Sequence, residues 1–129
     1  MPRILILEPN RLLAEMYCRA LEHVGYDTIS VASGQAAVDS ADETTPDLIV
    51  LELQLPAHNG FEFLYEFRSY TDWQRVPVII NTNIPLSTIG SVAESLFSEL
   101  GIRAWHYKPE TNLQLLIRSV SEELQKSKT

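Results

Sequence analysis

The order of apolar and amphipathic segments constrains the fold of this chain more than any other feature. Short apolar runs alternate five times with longer stretches in which apolar residues recur at helical spacing. Runs dominated by Ile, Leu and Val are typical of strands covered on both faces, as in a parallel sheet. The predicted strands are residues 4–7, 27–31, 48–51, 78–80 and 103–107. The second run is weaker and more polar, which indicates an edge strand.

A helix is predicted after each strand. Asn10 is the predicted N-cap of a first helix that ends near Gly25, and Ser33 or Gly34 starts a second helix through about residue 42. Further helices are predicted over residues 60–70, 86–100 and, with Thr111 as N-cap, 111–124. The side chains predicted to face inward from the first helix are Leu12, Leu13, Met16, Ala20, Leu21 and Val24.

Five strands that are each followed by a helix predict a doubly wound α/β fold. Right-handed crossovers place helices on both faces of a five-stranded parallel sheet, and the expected strand order is 2-1-3-4-5. We expect a single domain over residues 1–129, with a core at about 3–124 and a frayed tail from Gln125.

Charge and cysteine content exclude several classes of function. The 17 acidic residues outnumber the 10 Lys and Arg residues, the net charge is −7, and no basic run is present. Binding to nucleic acid without sequence preference, or to an anionic membrane, needs clustered positive charge. Cys18 is the single cysteine, and no run of about 18 apolar residues occurs in the sequence. These features predict a cytoplasmic protein without an internal disulfide, nucleic-acid partner or membrane partner.

Polar residues follow four of the predicted strands. They are Glu8, Glu52, Thr82 and Lys108, after the first, third, fourth and fifth strands. Because the carboxyl ends of parallel strands meet at one edge of a sheet, we expect these four side chains to converge in one crevice. A cis bond before Pro109 would turn Lys108 back over that crevice.

The segments around these residues resemble the receiver domain of two-component response regulators, which has a CheY-like, flavodoxin-like fold. The resemblance extends from Arg3 to about Glu123 and is carried by residues 4–8, 46–56, 59–62, 77–82 and the pair Lys108-Pro109. It implies that Glu52 stands where the family has an aspartate that accepts a phosphoryl group from a histidine kinase.

The resemblance also implies roles for the surrounding residues. Glu8 and Pro9 stand at the family's Mg²⁺-binding acid pair, and Lys108 stands where a lysine contacts the phosphoryl oxygens. The position of Thr82 couples phosphorylation to loop movement in the family. The position of Trp105 holds an aromatic residue that rotates inward on activation, although Trp105 also fits a fixed core or interface residue.

Three departures from the family pattern argue against ordinary phosphorylation. Glu52 and Glu8 are each longer by a methylene than aspartate, and Pro9 supplies no carboxylate. Mg²⁺ requires near-octahedral oxygen ligands at about 2.0–2.1 Å, and a misplacement of about 1 Å can cost roughly a hundredfold in rate. We therefore predict an atypical receiver that is not an enzyme and has no cofactor, with Glu8, Glu52 and Gln54 as weak candidates for a metal.

Two interpretations of Glu52 remain open. Its longer arm is able to reach Lys108 and to imitate part of the charge of a phosphoryl group, which would hold the Thr82 loop in an active conformation. The alternative is an inert remnant of the pocket. The predicted function is that of a protein-binding module that uses the face formed by the fourth helix, fifth strand and fifth helix.

Other functions and partners stay open beside this one. A homodimer is one alternative arrangement. One alternative function is a response regulator phosphorylated on Glu52 with Mg²⁺, stabilised by Thr82 and Lys108. Another is a small-ligand or cofactor binder of flavodoxin-like shape.

Overall fold

The five predicted strands form one parallel sheet in the order β2-β1-β3-β4-β5, as predicted. The computed structural model describes residues 1–127, with the side chain of residue 127 excepted. The strands are β1 (Arg3–Leu7), β2 (Asp27–Val31), β3 (Leu48–Leu51), β4 (Val78–Thr82) and β5 (Ile102–Tyr107). All five strands are parallel and therefore end at the same edge of the sheet, where the loops that follow β1, β3, β4 and β5 are neighbours.

Within residues 1–127, five α-helices connect or follow the strands. They are α1 (Arg11–His23), α2 (Gly34–Glu43), α3 (Gly60–Arg68), α4 (Ala93–Leu100) and α5 (Leu113–Ser127). The predicted cap Asn10 accepts a hydrogen bond from the Leu13 N–H at 3.1 Å, and Ser33 caps α2 in the same way. No helix in the described part of the chain is both long enough and apolar enough to cross a membrane.

The helices form two layers that cover opposite faces of the sheet. Alternate residues of β1 point to opposite faces, so Leu5 and Leu7 join one core and Ile4 and Ile6 join the other. The first core packs against α2, α3 and α4, and the second packs against α1 and α5. All four of these β1 side chains are at most 1% exposed, which is the burial expected of a central strand in a doubly wound sheet.

The inward face predicted for α1 is wrong for three of its six residues and is confirmed for Leu21, which is fully buried. Leu12, Met16 and Val24 are 73%, 48% and 48% exposed. The buried residues of α1 are Ala14, Tyr17 and Leu21. The apolar residues of α1 cover more than one stripe, and the stripe that contains Ala14 and Tyr17 packs on the sheet.

Two helix starts also differ from the prediction. The segment predicted as the first half of the fourth helix forms two 3₁₀ turns, Leu86–Thr88 and Gly90–Val92. Gly90 has a positive φ of 58°, which interrupts a right-handed helix. At α5 the cap is Asn112, whose side chain accepts from the Leu115 N–H at 2.9 Å.

The predicted frayed tail is wrong for residues 125–127, which continue α5. Lys128 and Thr129, the rest of that predicted tail, lie outside the described residues.

Candidate functional site

The four predicted site residues meet at the C-terminal edge of the sheet. Glu8 and Glu52 directly follow β1 and β3, and their backbone N–H groups still bond to the neighbouring strands, at Val31 O and Leu7 O. This extension of the ladder fixes where both side chains leave the sheet. Glu8 is 5% exposed and Glu52 is 4% exposed, so the carboxylates are buried.

Lys108 joins the two carboxylates. Its Nζ lies 2.6 Å from Glu8 Oε1 and 2.7 Å from Glu52 Oε1, and its side chain is 11% exposed. The cis bond considered before Pro109 does not occur, because every peptide bond in residues 1–127 is trans. The lysine reaches the crevice from a 3₁₀ turn, Lys108–Glu110, in which Pro109 takes an early position that needs no backbone donor.

Both oxygens of the Glu52 carboxylate have hydrogen-bond donors. Oε1 binds Lys108, and Oε2 accepts from Thr82 Oγ1 at 2.5 Å and from the Gln54 N–H at 3.0 Å. Thr82 is fully buried at the end of β4. The extra methylene of glutamate therefore brings the carboxylate to the lysine and to the hydroxyl at once.

The position of the predicted acid pair carries only one carboxylate. Glu8 Oε2 accepts from the Asn10 N–H at 3.0 Å, and its other oxygen binds Lys108. Pro9 contributes no side-chain oxygen, and Gln54 is exposed and contributes its backbone N–H. Within residues 1–127 there is no group of three or more His, Cys, Asp or Glu side chains able to hold a metal.

The balance of charge in the crevice is one ammonium against two carboxylates. Burial disfavours the Lys108 ammonium, but its hydrogen bonds and charge interactions with Glu52 and Glu8 outweigh that effect and raise its pKa above the ordinary value for lysine. Lys108 thus stays protonated at neutral pH, and the three groups form a buried ionic network with one formal negative charge left over.

A hydrogen-bonded path leads from Glu52 to Trp105. Thr82 Oγ1 donates to Glu52 and accepts from the Ile84 N–H at 3.3 Å. The Trp105 indole N–H in turn donates to the Ile84 carbonyl at 3.0 Å. Its ring packs between Phe61 and Phe97, with centroid distances of 6.5 and 6.2 Å. The loop after β4 therefore connects the buried carboxylate to an aromatic side chain of β5.

The loop between β3 and α3 closes over the same edge of the sheet. Asn59 and Glu62 form a reciprocal capping box at the start of α3. The Gly60 N–H donates to Leu53 O at 2.7 Å, and a Cβ on Gly60 would lie 2.8 Å from Leu53 Cα. This close backbone approach explains why glycine occupies the start of α3.

Sequence reasoning missed the donors that the backbone supplies to the site. The N–H groups of Asn10, Gln54 and Ile84 each bond to a site side chain. Every residue except proline carries such a group, so no residue type signals its position. The pairing of Lys108 with Glu52, by contrast, follows from the length of the glutamate side chain, which predicts that its carboxylate reaches the lysine.

The fold and the site together define a CheY-like signalling domain with an acidic crevice at the C-terminal edge of its sheet. The sequence matches the response regulator receiver domain family over residues 4–105, and the chain belongs to that family. It is therefore a signal-transduction receiver domain of the two-component type.

Known relatives cover part of the chain in sequence and nearly all of it in structure. The polar-differentiation response regulator DivK of Brucella ovis is 35% identical over 79 residues, which are 61% of this chain and 64% of DivK. The chain thus matches less than two thirds of the length of that relative.

Among solved structures, a sensor protein from Polaromonas sp. JS666 has a TM-score of 0.86 at 22% identity, covering 97% of each chain. The signal receiver domain of a histidine kinase from Syntrophus aciditrophicus has a TM-score of 0.82 at 27% identity, covering 98% of this chain and 92% of that one.

Proposed function

We propose that this receiver domain is a protein-binding module whose contact surface is set by Glu52 rather than by phosphorylation. The observation that carries the proposal is the path from the Glu52 carboxylate through Thr82 and Ile84 to Trp105. In the family, the positions of Thr82 and Trp105 respond to a phosphoryl group on the residue at position 52. Here a carboxylate that is part of the sequence engages the same hydroxyl.

This arrangement favours imitation of the phosphorylated state over an inert remnant. An inert side chain would face solvent, whereas Glu52 is 4% exposed and takes three hydrogen bonds. The imitation is partial, because a carboxylate has one charge and two oxygens against nearly two charges and three oxygens for a phosphoryl group. We therefore expect a conformational equilibrium shifted toward the active state rather than fully converted.

The same contacts oppose phosphorylation of Glu52. A nucleophilic carboxylate needs a free oxygen in line with the phosphorus atom, and the reaction depends on charge neutralisation by the metal. Both Glu52 oxygens are already bonded, and the Lys108 ammonium lies between the carboxylates that would have to ligate Mg²⁺. With Pro9 in place of the second acid, the residues present do not fit that ion.

The partner surface that we propose lies on α4, β5 and α5. A groove of about 440 Å³ lies at one end of it, between the 3₁₀ turn that starts at Leu86, β5 and the first turn of α5, and its lining includes Leu86, Trp105, Tyr107 and Leu115. Leu86 and Leu115 are 40% and 39% exposed, so the groove offers apolar contacts to a protein side chain. Because Trp105 lines this groove and also ends the path from Glu52, the crevice and the surface share a residue. We place this function in the cytoplasm.

A phosphorylation assay tests the first half of the proposal. The chain is incubated with acetyl phosphate and Mg²⁺, and its intact mass is recorded. We expect no phosphoryl adduct on the natural chain, and an adduct on the double variant Glu52→Asp with Pro9→Asp. A stable adduct on Glu52 itself would overturn the proposal in favour of a phosphorylatable receiver.

An NMR experiment tests the second half. The indole N–H resonance of Trp105 is compared between the natural chain, Glu52→Ala and the control Glu15→Ala, whose side chain is exposed on α1. We expect a shift in Glu52→Ala alone, since only that change removes the acceptor of Thr82. An unchanged resonance would show that Glu52 is an inert remnant.

A further inference from the structure

The groove on the proposed partner surface carries one charged side chain in its walls. One wall is the 3₁₀ turn that starts at Leu86, and the other is the segment that joins β5 to α5. Residues 85–92 contain no Asp, Glu, Lys or Arg, and residues 109–117 contain Glu110 alone. The next base along α5, Arg118, is exposed and does not line the groove. The walls are therefore uncharged except for one carboxylate.

Neither of the two basic side chains at this end of β5 neutralises that carboxylate. The Lys108 ammonium is bound to Glu8 and Glu52 in the crevice, and its side chain is 11% exposed. His106 lines the groove, and burial lowers the pKa of its imidazole, so the ring is uncharged at neutral pH. Glu110 is exposed and belongs to none of the ion pairs within residues 1–127. Its charge is thus available to an occupant of the groove.

The backbone that carries Glu110 is held on both sides. Glu110 ends the 3₁₀ turn Lys108–Glu110, which is followed by the bond from the Thr111 N–H to the Lys108 carbonyl at 3.4 Å. The lysine is anchored in the crevice, and Asn112 caps α5. A carboxylate on a backbone that is held in this way has less ordering to undergo when it binds a cation. The anchored lysine also places the groove carboxylate two residues along the chain from the crevice.

We propose that this groove selects a cationic protein segment, in which an apolar side chain and a neighbouring Lys or Arg enter together. The apolar side chain contacts Leu86, Trp105 and Leu115, and the cation pairs with Glu110 at the rim. The inference rests on the proposed function, because it names the partner chemistry of the same surface. An anionic segment of the same shape would meet Glu110 and a chain of net charge −7, so the groove discriminates by charge as well as by shape.

Three peptides that differ at one position test the charge preference. They are acetyl-leucyl-arginyl-leucinamide and its glutaminyl and glutamyl analogues, each titrated into the ¹⁵N-labelled full chain at neutral pH. We expect saturable NMR shifts of the Trp105 indole N–H and of residues 110–115 with the arginyl peptide, at a dissociation constant on the order of 1 mM. The glutaminyl peptide should bind about threefold more weakly, and the glutamyl peptide about tenfold more weakly. These differences should shrink in about 1 M salt, where exposed charges are screened.

A charge-neutral variant assigns the preference to one residue. Glu110→Gln should bring the arginyl peptide to the affinity of the glutaminyl peptide. Glu15→Gln, at an exposed position of α1, changes the net charge equally and should leave the preference intact. Equal affinities of the three peptides, a preference that survives in Glu110→Gln, or no saturable shift with any peptide would overturn the inference. Movement of the same resonances on dilution of the chain alone would assign the groove to a second copy of the chain and overturn it as well.

Glu52→Ala separates this inference from the proposed function. Where Glu52 sets the surface, Glu52→Ala weakens the binding of all three peptides, while the preference that belongs to Glu110 persists. Equal affinities for the natural chain and Glu52→Ala, with the preference intact, support the inference and contradict the control by Glu52. Binding that depends on Glu52 without any charge preference does the reverse.

Discussion

At the scale of single residues, the length of the Glu52 side chain determines which groups its carboxylate reaches. A carbon–carbon bond adds about 1.5 Å to a side chain. Glu52 uses that length to contact Lys108 at 2.7 Å and Thr82 at 2.5 Å, in a site that is closed to solvent. An aspartate at this position would have to give up at least one of these contacts or draw the loops inward. The residue therefore acts as a spacer as well as an acid.

Replacing Lys108 by methionine should strongly destabilise the fold. Glu8 and Glu52 would then face each other without a cation. Removing one partner of a buried ion pair typically lowers the unfolding free energy by about 3–5 kcal/mol. Urea unfolding measures the loss. Lys126→Met is the control, because the Lys126 side chain is 69% exposed and, although its partner Glu123 is largely buried, an ion pair with one solvated member should contribute less than the Lys108 pairs. Equal losses in the two variants would contradict the buried network.

Thr82→Val tests the hydroxyl that links Glu52 to the following loop. Valine keeps the shape of threonine but leaves Glu52 Oε2 and the Ile84 N–H with one partner fewer, which should lower the unfolding free energy by about 1–3 kcal/mol. The Trp105 indole N–H resonance should move as well. Thr45→Val, on an exposed threonine, serves as the control. A loss of stability without any change in that resonance would show that Thr82 does not influence the environment of Trp105.

At the scale of secondary-structure elements, the loop from β3 to α3 leaves no room for a side chain at Gly60. Gly60 packs against the backbone of Leu53, while Gly34, at the start of α2, faces the side chain of His58. The two glycines begin helices in the same position of each helix, but one neighbour is rigid and the other is able to move.

Gly60→Ala should therefore destabilise the protein more than Gly34→Ala. The added Cβ at Gly60 would lie 2.8 Å from Leu53 Cα, and displacing the backbone should cost about 1–3 kcal/mol. At Gly34 the contact is with the His58 ring, which is able to rotate away, and alanine also favours the helix. Thermal unfolding of both variants measures the difference. A larger destabilisation by Gly34→Ala than by Gly60→Ala would show that the backbone at Leu53 moves more readily than the His58 ring.

Strand positions were predictable from the sequence, whereas helix faces and helix starts were predictable only in part. The Ile, Leu and Val runs that end at Leu7 and Leu51 predict strands because they are too short for a typical helix and contain β-branched residues. The helix α1 has apolar residues around more than half its circumference, so periodicity alone did not separate exposed Leu12 from buried Tyr17. The broken start of α4 depends on the backbone at Gly90, whose conformation the sequence does not state.

The sequence predicts the residues of the candidate site more completely than it predicts the helix faces and helix starts. Four side chains at strand ends converge in any parallel sheet of this order, so Glu8, Glu52, Thr82 and Lys108 followed from topology. The distances among them did not follow, because they depend on backbone turns such as Lys108–Glu110.

At the scale of the whole molecule, His106 connects β5 to α5 and makes stability depend on pH. Its ring nitrogens contact Thr111 Oγ1 at 3.1 Å and Ser119 Oγ at 2.7 Å. Burial lowers the pKa of this imidazole below its ordinary value. The unfolded chain therefore takes up a proton at a higher pH than the folded chain does, and the neutral ring favours the folded state.

The contribution of His106 to the unfolding free energy should be complete above about pH 6.5. It should be lost as the pH decreases through the lower pKa that His106 has in the folded state. Urea midpoints measured at several pH values below neutrality check this. His106→Gln should remove that part of the slope. The exposed His23 provides the control, and His23→Gln should leave the slope unchanged. A slope that survives in His106→Gln would assign it to another group.

The ion pairs of Lys108 also bear on how the chain folds as it is synthesised. Lys108 and Glu8 are 100 residues apart, and chains grow at about 5–20 residues per second, so roughly 5–20 s separate the synthesis of the acid from that of its counter-ion. Until then, Glu8 and Glu52 are better solvated than buried, because an unpaired carboxylate is costly to remove from water. Closure of this edge of the sheet therefore waits for the last fifth of the chain, and a nascent fragment that ends before β5 leaves both acids in water.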